Sequence, residues 1–517
     1  MSIILPAIIS SGMVLEKRAR IWGYCDDADK VCIRFNGREF CADVIQNTWE
    51  VYIESDCMGG PFQMQIGDIV LENIYVGYVF CMSGQSNMEL PISRVRIRYE
   101  DVLKQVDNPL IRAFYVNKEY DFTKPKGLFV GEWKEANAEN IDAFFAAPYF
   151  FAEKLLRDGL NVPIGLINSA AGGSRIEAWM KEDSLKEFDY AIEALRIYQQ
   201  DGYVEDVTKR DEQRRKAWHE QLDAHDLGIE GQFQSSSYDD SAWPKRELTK
   251  SWTEDIGPIN GSVWFRKTVA LGPHQAGKPA RLFLGRIVDS DYAYVNGEQV
   301  GRIEYQYPPR IYPVREGLLK EGENTIAVRV ISERGLGGFI KGKDYQLEIG
   351  PEKIDLDGEW AYHMGYEMPT LEPAAFFFRY PCGLYNAMLY PVLPYSISAF
   401  LWYQGEANTE DPFNYSRLLD IFLRDIRASY GDDLPFLVVQ LPNYDAGENN
   451  ANWQILREQQ ATILRHHNTA LIIANDIGED NDLHPLNKKD IGERLAIGVQ
   501  SLLWDIPIAS DKVIVNR

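Results

Sequence analysis

No CxxC pair, HExxH, GxGxxG, Walker A or GxSxG motif occurs in the 517 residues. These absences remove the anchors for thioredoxin-type redox, zinc-protease and nucleotide-binding readings, and for the nucleophile elbow of the α/β-hydrolases. The nearest approach to a zinc helix is His219-Glu220, which lacks its second histidine. No run of about 20 apolar residues exists, so no helix is expected to span a membrane. The opening MSIILPAIISSGMVLEKRARIWG has no basic leader, and Pro6 interrupts its short apolar stretch, unlike a signal peptide. Positive charge is scarce: 54 Lys and Arg stand against 77 Asp and Glu, a formal charge of −23. Phosphate backbones and anionic membranes repel such a chain, so neither nucleic acid nor membrane is an expected partner. A strongly anionic substrate would need a local basic pocket.

Cysteine is also sparse, with six residues, five of them in the first 81 positions. Cys32 and Cys81 lie in apolar runs, where buried thiols are common. With no paired spacing and no leader, the expectation is six free thiols and a cytoplasmic protein. Secretion stays open if a leader precedes Met1.

What the chain does contain is ordinary globular material. Hydrophobic residues make up 45% and charged residues 25%, enough for a buried core in each of about three domains. Aromatics reach 12%, which suits β-rich domains and also sugar stacking. Residues 1–72 read as a small β-sandwich: VCIRF and REFCADV flank Asn36-Gly37, a type I′ hairpin signal. From Ile74 to Met82 the texture changes to a continuous apolar run, as expected of a parallel strand covered on both faces. Further such runs are PIGLIN (163–168), ISAFLWYQ (397–404), PFLVVQLP (435–442) and ALIIAND (470–476). Between them lie stretches of helical spacing, such as Tyr415, Leu418, Leu419, Phe422 and Ile426. Alternating strands and helices predict an α/β domain with a doubly wound parallel sheet of flavodoxin-like type. Two segments supply it, 73–225, ending in a charged helical connector, and 353–517. Residues 226–352 interrupt it with β texture and a second hairpin signal, Asn296-Gly297, predicting an inserted β-sandwich or jelly roll. That insert resembles the sugar-binding-like domains that accompany catalytic domains in glycoside hydrolases.

Open α/β sheets bind ligands at the carboxyl ends of their strands, and four loops of suitable chemistry end strands there. Gly84-Gln85-Ser86-Asn87-Met88 follows the first parallel strand. A serine at that turn exposes its hydroxyl and its own N–H, although helix capping would favour the same residue. Serine needs a base, and only seven histidines exist. His219, His225, His274, His363, His466 and His467 fall in charged helix, insert or helix-end contexts. His484, in GEDNDLHPLNKKDIGERLA, follows the last apolar strand. The loops Ala171-Gly172-Gly173-Ser174-Arg175 and Gln404-Gly405-Glu406-Ala407-Asn408 supply glycine N–H groups and a side-chain amide, the donors an oxyanion hole uses.

GQSNMEL, GGSRIEAWM, PCGLYNAMLYPVLPYSISAFLWYQGEAN and DLHPLNKKDIGERLA together resemble the sialate O-acetylesterase family, SGNH hydrolases related to acetyl xylan esterases. The opening LPAIISSGMVLEKRARIWG resembles that family's N-terminal β-domain. The resemblance implies Ser86 as nucleophile and His484 as base. It implies an oxyanion hole from the Ser86 N–H, a glycine of the Gly172-Gly173 pair and Asn408. Many SGNH hydrolases carry an Asp three residues before the His, but here Asn481 stands there. Asp482 is the nearer candidate for the acid and Glu406 the alternative. Gln85, Arg175 and Gln404 are expected substrate contacts. The substrate is an O-acetylated sugar, and no metal or cofactor is implied. An acetyl xylan or other polysaccharide deacetylase, and a non-catalytic sugar-binding protein on an esterase scaffold, are the alternatives.

Overall fold

Strands that are apolar without alternation must be covered on both faces, and the central sheet is built from them. In the computed structural model, which describes residues 2–104 and 106–517 and at Thr253 only the backbone, that sheet has eight strands. They are β1 (Tyr78–Gly84), β2 (Asp107–Val116), β3 (Gly131–Asn137), β4 (Ile164–Ala170), β5 (Ala399–Tyr403), β6 (Phe436–Val439), β7 (Thr469–Ile472) and β8 (Val513–Asn516). Their spatial order is β3-β2-β4-β1-β5-β6-β7-β8. The six strands from β2 to β7 run parallel, and antiparallel β3 and β8 close the two edges. Every residue of β4, β5, β6 and β7 is buried. From β1 the chain builds β2, β3 and β4 on one side and then passes to β5 on the other. The sheet therefore switches direction around β1, where α/β sheets open a crevice at their carboxyl edge.

Helices cover this sheet with their apolar stripes. Tyr415–Tyr430 buries Tyr415, Leu418, Leu419, Phe422, Leu423 and Ile426, the spacing read from the sequence. Lys488–Trp504 begins at Asn487, whose side chain accepts from the Asp490 N–H. This helix crosses Ala146–Arg157 so closely that a Cβ on Gly492 would lie 2.6 Å from Ala147 O and Phe151 N.

The N-terminal segment forms two small sheets, one of three strands and one of five. Its last strand, Ile69–Val76, runs past the boundary read at 72. Across the Asn36-Gly37 hairpin, Cys32 and Cys41 are direct partners in register, with Cα atoms 4.1 Å apart, and they form a disulfide. This corrects the expectation of six free thiols. A nine-residue separation means nothing until the hairpin register sets the two side chains opposite each other. Cys25, Cys57, Cys81 and Cys382 are free. The thiol argument for a reducing compartment is thereby lost.

Two compact units divide the chain. The first comprises residues 1–203 and 376–517, and the second is Val204–Ala375. The second unit is antiparallel throughout, with a six-stranded and a four-stranded sheet. Its core gathers Val263, Phe265, Leu282, Leu284, Val328 and Leu347. It also holds an enclosed ion pair, Arg310 Nε to Asp291 Oδ1 at 2.8 Å, with Tyr312 Oη donating to Asp291 Oδ2 at 2.7 Å. This unit takes in nearly all of the helix Tyr203–His225 and the strand Glu359–Glu367, which the boundaries at 225/226 and 352/353 leave outside it. The strand belongs because it pairs with Gly261–Leu271.

Candidate active site

Three neighbouring strands end at one level, since Gly84 of β1 is in register with Ala170 of β4 and with Tyr403 of β5. Their loops are the three glycine-bearing motifs. Gly84 has φ +139°, and a Cβ there would meet Tyr403 O at 2.1 Å, so only glycine allows the turn. Ser86 follows as the first residue of a short helix, Ser86–Glu89. Gly172 lies against it: a Cβ on Gly172 would be 3.3 Å from Ser86 Cβ.

The Gly172 N–H, one of the expected oxyanion donors, donates to Glu89 Oε2 at 2.5 Å. Glu89 also pairs with Lys118. In this structure a carboxylate oxygen thus occupies that donor, directly beside the serine. Asn408, the other expected donor, is buried. Its Oδ1 accepts from Ile176 N (3.0 Å) and Gln404 Nε2 (2.7 Å), and its Nδ2 donates to Glu177 Oε2 (2.9 Å). With two hydrogens on Nδ2, one N–H is left over from these bonds.

Two expected substrate contacts are engaged in the scaffold instead. Gln404 is completely enclosed: its Nε2 donates to Ser174 O (3.0 Å) and Asn408, and its Oε1 accepts from Tyr415 Oη (2.8 Å). Gln85 is buried too, and its Oε1 accepts from the N–H groups of Gly405 (3.2 Å) and Ala407 (3.3 Å). Both amides hold loops in place. Arg175 stays partly exposed and donates to Glu410 Oε2 at 2.6 Å.

His484 is buried in the loop before the helix Lys488–Trp504, and its backbone N–H donates to Asp482 Oδ1 at 2.9 Å. That loop reaches the loop of Ser86 through Asn87. Asn87 Nδ2 donates to Leu483 O at 3.1 Å and to Glu406 Oε1, while its Oδ1 accepts from Lys488 Nζ at 2.6 Å. The residue after Ser86 is therefore bonded to the residue before His484. Burial pushes the Glu406 carboxyl up from its ordinary range, against the Asn87 hydrogen bond and the Lys488 charge. Burial pushes Lys488 down to about 7, against the attraction of Glu406, Asp482 and Glu479.

Asn87, Glu177 and Lys488 take no part in the expected site. Asn87 follows Ser86 in GQSNM, where an amide side chain carries no local sign of a bridging role. A lysine in the first turn of a helix reads as a solvated residue, and only its fully buried position reveals otherwise. Among the described residues, no group of three or more His, Cys, Asp or Glu side chains is gathered as a metal ion would require.

Ser86 and His484 thus stand on loops at the carboxyl edge of a parallel sheet, joined through Asn87, an arrangement that a nucleophilic hydrolase would use. Residues 76–207 and 383–500, which carry seven of the eight strands of that sheet, match the family described as carbohydrate esterase, sialic acid-specific acetylesterase. It is 26% identical to the sialate O-acetylesterase of Mus musculus over 205 residues, 34% of this chain and 37% of that protein. The Homo sapiens protein of the same name is 26% identical over 202 residues, 34% of this chain and 39% of that protein. The chain thus spans well under half of these relatives. A carbohydrate acetylesterase from Xanthomonas citri shares the fold, with a TM-score of 0.58 at 21% identity over 98% of this chain and 76% of that one.

Proposed function

We propose that this chain is a carbohydrate O-acetylesterase, and most specifically a sialate O-acetylesterase, working through Ser86, His484 and an acid. The proposal includes an SGNH-type α/β domain and a jelly-roll insert. The observation that carries it is the Asn87 bridge, which ties the loop of Ser86 to the loop of His484.

The mechanism follows from the arrangement. Ser86 Oγ attacks the acetyl carbonyl as His484 takes its proton. The oxyanion is stabilised by the N–H groups of Ser86 and Gly172, and by the remaining N–H of Asn408. For Gly172 this requires Glu89 to yield its hydrogen bond to the incoming oxygen. The tetrahedral intermediate collapses, the sugar oxygen leaves with the proton from His484, and acetyl-serine remains. Water then attacks that ester, again giving its proton to His484; the second tetrahedral intermediate collapses as His484 returns the proton to Ser86 Oγ, and acetate departs. Asp482 holds the imidazole loop and is the proposed acid.

Acetate release from an O-acetylated sialic acid and from acetylated xylan fragments tests this reading. Ser86→Ala and His484→Ala should each remove nearly all turnover without loss of fold. Because they act as one unit, the double variant should be little worse than either single. Most activity surviving in Ser86→Ala would overturn the mechanism.

A further inference from the structure

Beside the nucleophile, the wall formed by Gly172 and Gly173 continues into a cluster that the mechanism does not use. The Phe376 ring lies directly on Gly173: a Cβ there would be 2.7 Å from Phe376 Cε1, and Gly173 has φ +73°. Phe376 is nonetheless 45% exposed, with Phe378 at 5.7 Å between ring centroids on one side. A large apolar ring open at a glycine-lined wall is a surface on which the C–H face of a sugar ring can stack.

Charge gathers at the same place. Arg175, two residues beyond Gly173, and Arg379, three beyond Phe376, each reach Glu410 Oε2 at 2.6 Å. Two guanidinium groups thus converge on one carboxylate oxygen, and together the three residues carry one net positive charge. Glu410 is held below the ordinary carboxylate range by the two arginines, against partial burial. Its side chain is 58% exposed, so it holds the guanidiniums together without enclosing them. Arg175 Nε is itself buried and has no acceptor among the described residues, so the exposed edge of the cluster is formed by the terminal nitrogens. A chain of charge −23 repels anions at long range. A paired-arginine cluster beside the reactive serine is the local reversal that an anionic substrate needs.

We infer that Arg175 and Arg379, with the open ring of Phe376, form a subsite for the carboxylate of a sugar acid whose acetyl ester lies at Ser86; this rests on the esterase reading above. Glu410 pre-orients the guanidiniums, and their outward N–H groups take the substrate carboxylate as charge-assisted donors.

The test compares an O-acetylated N-acetylneuraminic acid with its methyl ester, in which the carboxylate charge is masked. An acetylated galacturonic acid and its methyl ester form a second arm that separates sialic from uronic acids. In the wild type the acid should be the better substrate of each recognised pair. Arg379→Gln should lower the acid-to-methyl-ester ratio of kcat/KM about tenfold, the scale of a charge-assisted contact. Arg379→Lys should recover part of it, because it keeps the charge but not the fork. An unchanged ratio in Arg379→Gln would overturn the subsite. Calorimetric binding of free N-acetylneuraminic acid and its methyl ester needs no turnover. Acid-selective binding that disappears in Arg379→Gln supports the subsite even if neither ester is hydrolysed, a result that would sink only the esterase reading. Equal binding of both ligands by the wild type would overturn the subsite itself.

Discussion

At the residue scale, the two candidate acids for His484 differ in what each carboxylate holds. Asp482 accepts the backbone N–H of His484 itself, whereas Glu406 is bound by Asn87 and faced by Lys488. Glutamine at 406 keeps an oxygen for the Asn87 donor. Asparagine at 482 removes the negative charge closest in sequence to the imidazole, which must stabilise the imidazolium. Asp482→Asn should therefore lower kcat by about a hundredfold or more, and Glu406→Gln by clearly less, with similar thermal midpoints. Steady-state acetate release decides between them, and a larger loss at 406 would move the acid there. Lys488 supplies the second test. Lys488→Met leaves Asn87 Oδ1 without this donor and Glu406 without its counter-charge in a buried place. Breaking a buried pair on one side costs about 3 kcal/mol, read by denaturant titration. Turnover should fall as well, because the Asn87 bridge loses its anchor. Full activity in this variant would show that the bridge does not position the histidine.

At the scale of elements, the loops end neighbouring strands as expected, whereas the cysteines are not all free. Gly84, the Gly172-Gly173 pair and the QGEAN turn were legible because a tight turn at a strand end leaves a compositional mark. The Cys32–Cys41 pair left none, since nine residues separate many unbonded cysteines. Its formation depends on Ile33, Arg34 and Phe35 pairing with Phe40, Glu39 and Arg38 across the turn. Thiol titration of denatured, unreduced protein should find four thiols. Replacing both Cys32 and Cys41 by alanine should cost about 2–3 kcal/mol by loop-closure entropy. Finding six thiols would restore the original expectation.

At the scale of the whole molecule, the N-terminal segment is fastened to the central sheet by a titratable group. Glu16 Oε1 accepts from Val79 N at 2.7 Å, at the start of β1, and from Ser398 Oγ, just before β5. Burial raises its carboxyl from 4.5 to about 7, despite both hydrogen bonds. The folded state therefore holds this proton where the unfolded chain has released it. The stability contributed is complete below about pH 4.5 and is lost as pH rises through about 7. Glu16→Gln keeps an acceptor oxygen and has no proton to lose. The variant should match the wild type near pH 4.5 and exceed it by about 2 kcal/mol at pH 8, measured by denaturant midpoints at both values. A constant difference across that range would rule the linkage out.

The amino-acid sequence by itself determined the parallel strands, the hairpin turns and the loops that hold Ser86, Gly172, Glu406 and His484. Each of these is set by local chemistry: apolar runs for strands buried on both faces, Asn-Gly for turns, glycine where the backbone turns against a neighbour. Only the tertiary structure decided which polar side chains face one another. Lys488 and Asn87 are 401 residues apart in the chain and 2.6 Å apart in the fold, and Arg175 meets Arg379 only through Glu410. The unit boundary was settled in the same way, because the strand Glu359–Glu367 pairs with a partner about a hundred residues earlier. Contacts at such separations carry no local signature, since their energy comes from burial and pairing that exist only once the chain is folded.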